Sequence, residues 1–95
     1  VSHGSQIDPT EKQLVLLLRD ERLRQQVSAT SLASTIRVSR TTITHIENDE
    51  SRPTLWVLLR IAEGLGVNLA DYLDQALEKR QKAKLGYSAH EHLDK

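Results

Sequence analysis

The sequence predicts an all-α domain built from five helices. Apolar residues recur at three- and four-residue spacing along most of the chain, and no segment shows the two-residue alternation of a strand. Side chains that cap helix N-termini stand ahead of these stretches at Asp8, Ser28, Ser39 and Thr54. Within residues 27–48, two short helical patterns are separated only by Arg37, Val38 and Ser39, so the two helices must cross steeply.

The first helix is expected near 9–26. Asp8 caps it, Pro9 suits the first helical position, and Glu11 completes a capping-box-like start. Leu14, one of Leu17 and Leu18, and Leu23 are expected to face inward. The second helix, 28–36, turns Leu32, Ala33 and Ile36 to one side. The third, 40–48, does the same with Ile43, Ile46 and Glu47. Pro53 ends the polar loop that follows, and Thr54 opens a fourth helix over 54–64. Leu55, Leu58, Leu59 and Ala62 have helical spacing there, widened by Trp56, Val57 and Ile61, and Gly64 and Gly66 end it. The fifth helix is expected over 69–83, with Leu69, Tyr72, Leu73, Ala76 and Leu77 on its inner face. The domain is read as 8–85. Val1 to Ser5 look like a cloning remnant or a trimmed start, residues 1–7 read as a disordered lead-in, and 86–95 as a flexible tail.

Ninety-five residues suit one small domain. With one Trp, two Tyr and no Phe, the core must be aliphatic. The lack of Cys rules out disulfides and thiolate metal sites and fits a cytoplasmic, nucleoid-associated protein. The longest apolar run, Leu14 to Leu18, is far too short to span a bilayer, and no signal-peptide pattern opens the chain. No membrane partner and no cofactor are expected. Formal net charge is zero. Between positions 8 and 74, eight basic residues face ten acidic ones, so affinity for a polyanion has to come from local placement of charge.

That placement centres on the third helix. Opposite Ile43 and Ile46 lie Thr41, Thr44, His45 and Asn48, with Arg40 at the N-terminal end. Short polar side chains of this kind can approach base edges in the major groove of DNA. Thr41, Thr42, Ile43 and Thr44 are consecutive β-branched residues that cost helix propensity, and a groove that takes hydroxyl and methyl groups gives a reason for that cost. Arg37, Arg40 and Arg52 flank the helix.

From Arg22, through Ser28–Ala33 and Val38 to Asn48, to Pro53–Leu55, Leu58–Leu59, Ile61–Ala62, Leu65–Val67 and Leu69, the chain resembles the Cro/phage-repressor-type helix-turn-helix family, also called the XRE family. The likeness runs in one register over about residues 12–75 and so specifies packing partners as well as the turn. It implies a five-helix lambda-repressor-like DNA-binding domain and a sequence-specific, double-stranded DNA-binding transcriptional regulator, a repressor, on a palindromic operator. It implies that Arg40, Thr41, Thr44 and His45 read bases. Ser39, Thr42, Asn48 and Arg52, with Arg37 beside them, hold phosphates. It also implies an ion pair between Arg22 and Glu47. Three positions depart from the family pattern. Ala29 stands where Gln bridges to a phosphate, and Arg37 and Asp49 stand where Gly is usual. Arg37 is therefore expected either to bear strain at positive φ or to remodel the turn.

Other features read as structural. His90, Glu91 and His92 lack further ligands at useful spacing, so no metal site is expected. Lys79, Arg80, Lys82 and Lys84 read as a solvated face at a helix end. Trp56 reads as core or rim. No Ser/His/acid set or phosphate-cradling Gly loop suggests an enzyme. The competing reading is a protein-interaction module such as an antitoxin, which holds a second protein partner and binds DNA secondarily. A homodimer is expected through the C-terminal region, burying Ala76, Leu77, Ala83, Leu85 and Tyr87 against their copies.

Overall fold

Four helices and the start of a fifth form the protein in a computed structural model that describes residues 8–79. They are α1 (Pro9–Arg24), α2 (Ala29–Ile36), α3 (Arg40–Glu47) and α4 (Leu55–Leu65), with α5 over 69–79 of the described residues. No strand occurs among them. The expected lead-in at 1–7, the fifth helix beyond 79, the tail 86–95, the His90–Glu91–His92 group, and Arg80, Lys82, Ala83, Lys84, Leu85 and Tyr87 lie outside the described residues. No described helix is long and apolar enough to cross a membrane.

The expected caps are all in place. Asp8 accepts from the Thr10 amide at 2.7 Å, Ser28 from Ser31, Ser39 from Thr42 and Thr54 from Val57. The C-termini of α1 to α4 share one device. One residue adopts positive φ, its amide bonds to the carbonyl three residues back, and the next amide reaches five residues back. The residues at positive φ are Gln26, Arg37, Asp49 and Gly66. Only the last is a glycine, so three turns place an ordinary side chain in a conformation that disfavours Cβ. Val27, Val38 and Val67 follow Gln26, Arg37 and Gly66 and pack on the core, which anchors those three turns. Arg37 therefore sits at positive φ in an unremodelled turn. Gln26 likewise stops α1 two residues short of the expected end.

The core is aliphatic throughout. It joins Leu14, Val15 and Leu18 of α1, Leu32, Ala33 and Ile36 of α2, Ile43 and Ile46 of α3, Leu58, Ile61, Ala62 and Leu65 of α4, and Ala76 of α5. Gly64 lies inside α4 and does not end it. A Cβ there would stand 2.6 Å from Ile36 Cγ2 and 2.8 Å from Leu32 Cδ1, so the absence of a side chain is what lets α2 and α4 approach.

Several expected inward residues face solvent. Leu23 is half exposed because the inward position on that turn belongs to Arg22. Leu59 lies about 100° round α4 from Leu58, off the stripe set by Leu58, Ile61, Ala62 and Leu65. Leu59 is exposed, and so is Leu55 in the first turn. Trp56 is a surface residue, not core. On α5, Ala76 is fully buried within the monomer, which removes it from any contact between copies, whereas Leu73 and Leu77 are exposed.

Candidate nucleic-acid interface

Ile43 is completely buried and Ile46 nearly so, and these two residues fix the roll of α3 against α1 and α2. With that face committed, Arg40, Thr41, His45 and Asn48 are exposed, and Thr42 and Thr44 are half-buried at the edges. The short turn at Arg37–Ser39 joins α3 directly to α2, and the two helices pack against each other.

The Arg22–Glu47 pair ties α3 to α1. Arg22 Nε donates to Glu47 Oε2 and Nη2 to Oε1, both at 2.8 Å, a bidentate fork whose two side chains are almost covered. Arg22 Nη1 also donates to the Val27 carbonyl at 2.7 Å, which adds the α1–α2 turn to the same anchor. The hydrogen bonds from Glu47 raise the Arg22 pKa above its ordinary value, while burial opposes the rise.

The hydroxyls along α3 are already organised. Ser39 Oγ and Thr42 Oγ1 lie 2.8 Å apart and share one hydroxyl hydrogen, which leaves the other for an outside acceptor. Thr44 Oγ1 donates to the carbonyls of Arg40 and Thr41, at 3.2 and 3.1 Å. Thr44 therefore has only its methyl group and the acceptor side of its hydroxyl left for an outside group.

The cations differ along the face. No ion pair engages Arg37 or Arg40 among the described residues, and both are exposed. Toward the other end, His45, Lys12 and Arg52 each have an acidic neighbour. His45 Nε2 lies 3.6 Å from Glu50 Oε1, and Lys12 Nζ lies 3.4 Å from Asp49 Oδ2. Arg52 Nη2 donates to Glu11 Oε1 at 2.9 Å, with Nε at 3.2 Å from both carboxylate oxygens. Hydrogen bonding to Glu11 raises the Arg52 pKa.

Sequence reasoning missed three of these residues. Glu11 reads only as part of a helix start and Lys12 is one basic residue among eight, because nothing local announces partners some 40 positions away. Arg60 was not singled out. Its Nη2 donates to the Ile36 carbonyl at 3.2 Å, its Nη1 bonds Glu63, and its guanidinium sits 5.8 Å from the centre of the Trp56 ring. It thus holds the last carbonyl of α2 immediately before the strained Arg37.

Comparison with known proteins agrees with this geometry. A family model described as a helix-turn-helix domain matches residues 13–74. The wild-type restriction-modification controller protein C.Esp1396I superposes with a TM-score of 0.69, covering 81% of this chain and 100% of its own at 22% identity. Its tetramer in complex with a natural 35-base-pair operator gives a TM-score of 0.66, covering 77% of this chain and 95% of that one at 22% identity. The same protein on a 25-base-pair operator site gives 0.68 over 81% and 100%, again at 22% identity. At that identity the likeness establishes the fold. No curated protein matches the chain in sequence. The family match covers well over half of the chain, through all the elements that position α3, and the chain belongs to the helix-turn-helix domain family.

Proposed function

We propose that this protein is a sequence-specific regulator of transcription that binds double-stranded DNA with α3 in the major groove. One observation carries the reading. α3 is fixed by buried Ile43 and Ile46 and by the Arg22–Glu47 fork, and it presents Arg40, Thr41 and His45 outward. A rigid helix with a short, polar, exposed face has the shape and chemistry that groove reading requires. The shared fold of C.Esp1396I, which has been crystallised on operator DNA, supports it.

In this reading Arg40 contacts guanine O6 and N7 or a nearby phosphate, Thr41 and Thr44 meet thymine methyls, and His45 meets a purine. Ser39, Thr42, Asn48, Arg37 and Arg52 hold phosphates and set the register. The protein acts as a homodimer, because one reading helix spans only a few base pairs. Leu55 and Leu59 on α4, and Leu73 and Leu77 on α5, are exposed i,i+4 apolar pairs that a two-fold contact would cover.

Selection of bound duplexes from a random pool, followed by titration at two salt concentrations, tests the function. The expected outcome is an enriched, roughly palindromic site with half-sites about one helical turn apart. Binding without sequence preference would overturn it.

A further inference from the structure

We propose that Glu11 is an internal competitor of DNA phosphate for Arg52, one that holds down affinity for random sequence. This rests on the DNA-binding reading above. Arg52 lies in the loop after α3 and Glu11 in the first turn of α1, and their contact is a fork of the kind a guanidinium makes with a phosphate. The carboxylate is largely covered, at 16% side-chain exposure, while Arg52 is 63% exposed. The anion is therefore part of the fixed scaffold and the cation is the accessible partner. A phosphate arriving at Arg52 meets a guanidinium whose charge is already balanced, so it must displace Glu11 or share the guanidinium with it.

The arrangement fits a pattern on this face. Lys12 is paired with Asp49, and Glu50 lies beside His45, around the C-terminal half of α3, whereas Arg37 and Arg40 at its N-terminal end have no acidic partner among the described residues. Non-specific affinity is almost wholly electrostatic. Neutralising one end of the face lowers it, and the unbalanced Arg40 end keeps the contacts that distinguish sequences. The Arg52–phosphate contact then forms only when the rest of the face is seated.

Removing the competitor separates this role from a merely structural one. The full-length protein and its Glu11→Gln, Glu11→Asp, Arg52→Ala and Glu11→Gln/Arg52→Ala variants are titrated with a random duplex and with the selected operator across a salt series. For Glu11→Gln, affinity for random duplex should rise about two- to fivefold, the exchange value of an exposed ion pair. The salt slope should steepen by up to about 0.9, one phosphate contact. Glu11→Asp keeps the net charge but shortens the reach, and should give part of the same gain. With Arg52→Ala the gain from Glu11→Gln should largely vanish. Weaker binding by Glu11→Gln would mean that Glu11 positions Arg52 for DNA, and an equal gain without Arg52 would mean a general charge effect. Either result overturns the proposal while leaving DNA binding in place. Failure of the parent protein to bind any duplex would remove both.

Discussion

Two arginines show how much a single residue contributes here. Arg22 is a charge inside a small aliphatic domain, made tolerable by three hydrogen bonds. Removing either partner strands the other, so Arg22→Met or Glu47→Leu alone should cost on the order of 3 kcal/mol, and the double variant less than either. Chemical denaturation of the three proteins checks this, and unchanged midpoints for both single variants would mean the pair is not structural. Arg37 carries the opposite burden, a left-handed backbone without glycine. Arg37→Gly relieves a Cβ conflict but loosens the unfolded chain, so a net gain of about 0.5–1 kcal/mol is expected. Urea midpoints should rise at constant slope, while affinity for every duplex falls as a phosphate contact is lost. Both residues stood out in the sequence: Arg22 through the family likeness, and Arg37 as an arginine where glycine is usual. Glu11 and Arg60 did not, because their roles depend on contacts that only the closed fold creates.

Among the elements, the two that form the helix-turn-helix were the most legible. Each is eight residues long with strong caps, so the start, the stop and the buried face follow from few positions. α1 and α4 were harder because they carry more leucines than the core can use. Periodicity alone could not decide between Leu58 and Leu59 in α4, or recognise that Arg22 and not Leu23 faces inward. Gly64 read as a stop signal, although its role is to let α2 and α4 approach. Adding a methyl group at Gly64 should therefore destabilise by about 1–3 kcal/mol despite alanine's better helix propensity, measurable as a lowered Tm for Gly64→Ala. The end of α1 also has a pH signature. Hydrogen bonds from Arg24, then Gln25, hold the Glu21 carboxyl down to about 2 from its ordinary 4.5. A carboxylate with a lowered folded-state pKa stabilises the fold above its unfolded pKa, and that contribution fades as pH falls from about 4.5 toward 2. Glu21→Gln should flatten the acid limb of a stability–pH curve, and an unaltered limb would show that Glu21 has no part in it.

At the scale of the whole molecule, zero net charge and the proposed DNA binding are reconciled by where the charges sit. Among the described residues no ion pair engages Arg37 or Arg40 at one end of α3, and acidic residues beside Arg52, Lys12 and His45 make the other end less positive. The exposed leucines of α4 and α5 belong to this scale too. Their replacement by Lys at Leu59 and Leu73 should convert a sedimenting dimer to monomer at micromolar concentration, with the helical spectrum unchanged. A parent protein that already sediments as monomer there would remove the dimer from the account. The central claim remains that α3 reads sequence, and Arg40→Ala tests it most directly. Affinity for the selected operator and for a random duplex should be measured for parent and variant at one salt concentration. The ratio of the two affinities should fall by about fivefold or more, corresponding to the roughly 1–3 kcal/mol a guanine contact contributes to discrimination. An equal loss on both duplexes, or no loss on either, would contradict it.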